Sequence, residues 1–135
     1  MKNLIIDSNI VFSALRGKNS RTRSKLLTSE DKFFAPNFLI GEIFRHKERI
    51  IKNSKASEKE TYEFLFKIIN KINFINEENI STGNFIEAYR LCKGIDEKDT
   101  PFVALSLELD HKIWTRDDKL KSGLSKKGFN NFYDE

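Results

Sequence analysis

The sequence predicts a single α/β domain over residues 1–135, built on a mainly parallel sheet of four to five strands with helices on both faces. Three observations carry this. Short apolar runs at Leu4-Ile5-Ile6, Phe33-Phe34-Ala35, Phe74-Ile75 and Ile113-Trp114 alternate with longer segments of helical periodicity. Such alternation builds parallel sheets through right-handed crossovers. The first and fourth runs are followed by acids, Asp7 and Asp117, and ligands of open parallel sheets bind just outside the carboxyl ends of the strands. Finally, 135 residues suffice for one hydrophobic core and not for two.

Composition narrows the function classes. With 24 Lys and Arg against 20 Asp and Glu, the net charge is +4, compatible with a polyanionic partner without requiring one. The single Cys92 rules out an internal disulfide and a cysteine zinc cluster. His46 and His111 lie too far apart in sequence to suggest a histidine metal site. No apolar run approaches the about 20 residues of a membrane span, and the start of the chain lacks the apolar core of a signal peptide. A cytoplasmic protein without membrane association is the expectation. Phe is frequent, at 12 residues, so aromatic packing should supply much of the core.

Taken in order, Leu4-Ile5-Ile6 is a buried strand. Asp7-Ser8-Asn9 then offers helix caps to the short helix containing Val11–Leu15. From this hexapeptide alone, capping is the commoner explanation of Asp7. Residues 16–25 carry five basic side chains and no acid, and read as a loop entering a short helix near Ser24. A solvated charge run and a phosphate-tracking patch fit this stretch about equally. A second strand at Lys32–Ala35 leads to Pro36-Asn37, which opens a helix. Glu42 lies inside the apolar run Phe38–Phe44. It is either paired with Arg45 or His46 at helical spacing or held for chemistry.

After the polar break Lys52–Ser57, Ser57-Glu58-Lys59-Glu60 matches a capping box for a helix reaching about Lys71. Its stripe of Tyr62, Leu65, Phe66, Ile69 and Ile72 is wide. Core is the simplest reading, and a groove for self-association or a partner is the second. A third strand covers Asn73–Asn76. The helix Ser81–Cys92 should turn Phe85, Ile86, Ala88, Tyr89 and Cys92 inward and end at Gly94. Asp99 caps the apolar helix Phe102–Leu109, whose positive end would also suit Asp96. A fourth strand, His111–Thr115, is followed by Arg116-Asp117-Asp118 and a helix from Lys119. Gly128–Tyr133 is a candidate last strand.

Asp7 and Asp117 meet if their strands are neighbours, while Asp99 and Glu42 stand early in helices that reach the same rim. Explaining four acids separately, as caps and pairs, is less economical than one site. Clustered carboxylates repel unless a cation sits among them. Hard oxygen ligands without Cys or His suit Mg²⁺ or Mn²⁺, and such ions commonly serve phosphate chemistry. There is no glycine-rich Walker loop, so nucleoside triphosphate hydrolysis is not indicated. The first strand also lacks the second acid of a phosphatase Asp-x-Asp motif.

Four stretches, in order and spacing, resemble the motifs of the PIN-domain ribonucleases, including VapC-like toxins: Ile5-Ile6-Asp7-Ser8-Asn9, Ile40-Gly41-Glu42-Ile43, Asp99-Thr100-Pro101-Phe102-Val103-Ala104-Leu105-Ser106 and Thr115-Arg116-Asp117. The resemblance covers nearly the whole chain. It implies a three-layer α/β/α sandwich and metal-dependent cleavage of RNA, with Asp7, Glu42, Asp99 and Asp117 as catalytic and metal-holding residues. Asp96 is an extra acid that would supplement or replace Asp99, and Asp118 competes with Asp117. The spacing to the following helix or the preceding Thr favours Asp99 and Asp117. On this reading Asn9 and Thr115 support the carboxylates by hydrogen bonds, and Arg16, Lys18, Arg21 and Arg23 contact the RNA backbone. A small antitoxin that blocks the site is implied as partner, and a homodimer is a further expectation. The alternative is a non-catalytic nucleic-acid-binding or protein-interaction module on the same fold.

Overall fold

A computed structural model of the protein describes residues 1–17 and 20–135. Four strands form one sheet: β1 (Asn3–Ile6), β2 (Lys32–Pro36), β3 (Ile72–Ile75) and β4 (Lys112–Trp114). Their spatial order is β3-β2-β1-β4, and every pairing is parallel. The helices are α1 (Ser8–Leu15), α2 (Ser20–Thr28), α3 (Phe38–Asn53), α4 (Glu58–Lys71), α5 (Thr82–Cys92), α6 (Thr100–Leu109) and α7 (Asp118–Lys126).

The connections from β1 to β2 and from β2 to β3 step in one direction across the sheet, while β3 to β4 crosses back over it. Right-handed crossovers then place α1–α4 on one face and α5–α6 on the other. Packing agrees: α6 lies across β1, β2 and β4 with α5 laid over it, and α1 contacts α2, α3 and α4. Leu4, Ile5 and Ile6 are sealed between the layers. Phe102, Val103, Ala104, Leu105 and Ser106 are all buried, which explains why α6 is apolar on every side rather than striped. No helix among the described residues is long and apolar enough to cross a membrane.

Several boundaries and faces differ from the sequence reading, each for a local reason. Pro36 closes β2, in register with Ile75, instead of opening a helix. The free N–H groups of Asn37 and Phe38 at the start of α3 are taken by the Glu77 carboxylate at 3.1 and 3.0 Å. Helix α2 begins at Ser20, so Arg21 and Arg23 lie on a helix and not in a loop. On α4 the buried stripe is Thr61, Leu65 and Ile68, one step round from the expected face, and Phe66 is exposed. On α5 the inward residues are Ala88, Leu91 and Cys92. Ile86 and Tyr89 face outward, on the side of α5 turned away from its buried residues. The Gly128–Tyr133 segment lies beside β4 but makes only one parallel bridge, Ile113 to Phe132.

Candidate active site

The strand order reverses between β1 and β4. In an open parallel sheet, the crevice at the carboxyl ends of two such strands is where ligands bind. Ile6 is paired with Trp114, so Asp7 and Thr115 emerge side by side. The Thr115 hydroxyl donates a hydrogen bond to Asp7 Oδ2. Asp7 Oδ1 accepts from Ile10 N–H at 3.1 Å, capping α1. The carboxylate is 4% exposed. Burial raises its pKa, and the Thr115 bond, the Ile10 and Asn9 N–H groups work against that rise while the Asp117 charge adds to it.

Asp117 repeats the arrangement one strand over. Its Oδ1 accepts from Leu120 N–H at 3.0 Å, and its own N–H donates to Thr115 Oγ1 at 3.2 Å. Thr115 therefore ties the two acids together. Asp118 is exposed in the first turn of α7. Capping and a place at the rim coexist in Asp7 and Asp117, so the choice posed by the sequence is not exclusive.

Glu42 stands in the second turn of α3. Its Oε1 is buried without a hydrogen-bond partner. Burial raises its pKa, opposed by the Ser8 hydroxyl and by the charges of Arg45 and Lys98, while Asp7 pushes it further up. None of the ion pairs among the described residues involves Glu42. His46 instead sets its ring edge-on to Phe12 at 5.8 Å.

Asp99 lies at the head of α6 but makes no side-chain capping bond. Its pKa is pushed up to about 7, chiefly by burial and then by the charges of Asp96, Asp7, Asp117 and Glu42. All the acids singled out from the motifs thus act on this one group. Asp96, by contrast, is exposed and spends its carboxylate on Lys98 N–H at 3.0 Å, capping the turn before α6.

The acids thus combine oxygen donors, mutual repulsion and, on Glu42, a buried carboxylate oxygen without a hydrogen-bond partner; a cation would relieve such repulsion. Among the described residues, no three of the Asp, Glu, His or Cys side chains are gathered as a ready-made ion site.

A family model described as PIN domain matches residues 5–133. The chain belongs to the PIN domain family. The PIN fold is also what a structural comparison returns. A chain in the crystal structure of VapBC2 from Rickettsia felis, bound to a DNA fragment from their promoter, superposes with a TM-score of 0.64 at 13% identity, covering 89% of this chain and 92% of that one. No curated protein matches the sequence. PIN domains are generally nucleases and typically use a divalent metal.

The basic residues expected to flank this PIN centre are placed differently. Arg16 is at the far end of α1 from Asp7, about 12 Å along a helix of this length. Lys18 lies outside the described residues. Arg21 is exposed on α2. Arg23 is occupied: its guanidinium donates to the Ala14 carbonyl at 3.0 and 2.8 Å and lies 3.9 Å from the Phe64 ring centroid. The cations that act on Glu42 are Arg45 and Lys98. Lys98 was readable from its place beside Asp99, but the sequence reading assigned it no role. Asn9 supports Asp7 through its backbone N–H, and its side chain is exposed.

Proposed function

We propose that this PIN domain is a Mg²⁺- or Mn²⁺-dependent endoribonuclease that cleaves RNA phosphodiester bonds as the toxin of a toxin–antitoxin pair. The observation that carries the chemistry is the position of Asp99. It is half-buried, makes no capping bond, and is raised to about 7 first by burial and then by the charges of Asp96, Asp7, Asp117 and Glu42. Asp7, Asp99 and Asp117 would hold the ion, and Glu42 would hold it or position the attacking water. Asp96 is the reserve ligand. The ion would supply positive charge against the phosphate and lower the pKa of the water.

The residues of this chain do the rest. Thr115 donates to the Asp7 carboxylate and accepts from the Asp117 N–H, so it fixes one acid by its oxygen and the other by its backbone. Burial and mutual repulsion keep Asp7, Glu42 and Asp99 ready to give up protons when positive charge arrives. Lys98 and Arg45 hold the phosphates nearest the cut, and Arg16 and Arg21 hold phosphates further along the strand. The antitoxin is carried over from the resemblance to VapC-like toxins, and its expected action is to cover the rim.

The test is cleavage of a labelled structured RNA with Mn²⁺, with EDTA, and with Asp7→Asn. Metal-dependent cutting that disappears in the variant supports the reading. Full activity in Asp7→Asn sinks the site assignment.

A further inference from the structure

We propose that a nucleobase of the substrate strand stacks in an aromatic hollow immediately beside the acidic rim, with Tyr89 as its principal platform. This rests on the nuclease reading for the identity of the strand. The hollow, about 420 Å³, is lined by Phe38, Tyr89, Glu97, Lys98, Thr100 and Pro101.

Its position follows from the elements. Phe38 precedes Glu42 by four residues on α3, so the two share a face. Lys98 and Thr100 flank Asp99. The hollow is therefore lined by neighbours of the two acids that come from helices, and its Lys98 acts on Glu42 electrostatically. A strand laid across the carboxylates would bring a neighbouring base over it.

The lining suits a base. Phe38 is braced edge-on by Phe102, with centroids 6.2 Å apart and planes at 78°. Tyr89 is 47% exposed on α5 and faces the first turn of α6 across the hollow. Its hydroxyl reaches Glu97 Oε1 only at 3.5 Å. An aromatic ring beside a lysine is the combination that holds single strands, the ring taking the base and the cation the phosphate. Glu97 offers only acceptors, which favours a base with an exocyclic amino group over uracil. A plain apolar docking face would not need Lys98 and Glu97 at its edge.

The test measures the Kd of fluorescent single-stranded RNA of about ten nucleotides, in an Asp7→Asn background that keeps the strand uncut. Tyr89→Ala should weaken binding about tenfold and Tyr89→Phe should not, since stacking does not need the hydroxyl. Removing one base from the RNA should cost the parent about the same factor and cost Tyr89→Ala nothing further, which a merely structural role would not produce. Equal binding by Tyr89→Ala, independent losses from ring and base, or no RNA binding at all would overturn the proposal. So would a changed sedimentation coefficient in Tyr89→Ala, which would make the face a contact between copies of the chain. Tyr89-dependent binding alongside failed cleavage would keep the subsite and remove the nuclease. Cleavage indifferent to Tyr89 would do the reverse.

Discussion

Two charged regions of this molecule look alike in sequence and differ in what their charges touch. The stretch 16–25 is densely basic, and two of its four described basic residues, Arg23 and Lys25, are engaged. Arg23 closes the end of α1 on the Ala14 carbonyl and the Phe64 ring. Lys25 pairs with Asp31 at 2.7 Å, which holds the Asp31 carboxyl below its usual range. At the acidic rim the carboxylates act on one another as well as on their hydrogen-bond partners. Asp7 is buried against another acid, Glu42 keeps an orphan oxygen, and Asp99 carries its raised pKa without a cap. A charge that has found its partner stabilises a fold. A set of like charges held together against their repulsion marks a candidate site rather than a structural pair.

The largest effect that would break this contrast is on cleavage. Asp7→Asn should lower the rate about 100-fold or more. It should leave the metal-free protein at least as stable at pH 7, because asparagine still caps α1 and no charge is buried. A destabilised Asp7→Asn would mean that Asp7 is chiefly structural.

Next comes the pH dependence. Asp99 is about 3.8 as a free side chain and about 7 in the fold, so the folded state binds its proton more tightly than the unfolded state does. Its contribution to stability is fully present below about pH 4 and is lost as pH rises towards 7. Between pH 5 and 7 that loss is about 2 kcal/mol. Thermal melts in EDTA should show Tm falling over this range, and Asp99→Asn should flatten the slope. An unchanged slope in the variant would remove Asp99 from the coupled cluster.

Thr115→Val tests the tie between the two strand-end acids. It should weaken Mn²⁺ binding about tenfold, the usual cost of losing a group that orients a ligand, as read by calorimetry. Unchanged affinity would make the hydroxyl incidental.

The smallest effect on chemistry should come from Arg23→Ala. It should cost about 2 kcal/mol in urea melts and leave cleavage per folded molecule unaltered. A cleavage defect with unchanged stability would put Arg23 back on the RNA.

The sequence predicted the sheet and its parallel order well, because Leu4–Ile6 and Ile113–Trp114 are buried on both faces and therefore apolar without alternation. It also placed Asp7 and Asp117 at strand ends, and the adjacency of β1 and β4 does the rest. It read Arg16 and its neighbours as beside the acids, because proximity in sequence was taken for proximity in space. One helix of eight residues separates them. Helix faces were harder. Ile86 and Tyr89 have apolar bodies and helical spacing, but the sequence of α5 does not say that Ala88, Leu91 and Cys92 are the residues that turn inward. Spacing favoured Asp99 over Asp96, but it cannot show that the Asp96 carboxylate accepts a local bond from Lys98 N–H.

The most direct test of the central claim is a calorimetric titration of the metal-free protein with Mn²⁺ near pH 6.5, in two buffers of different ionisation enthalpy. The account predicts saturable binding accompanied by proton release, since an ion entering the cluster must displace the proton of Asp99, and loss of that binding in Asp7→Asn. Absence of saturable binding in the parent protein, or binding that Asp7→Asn leaves intact, would contradict it.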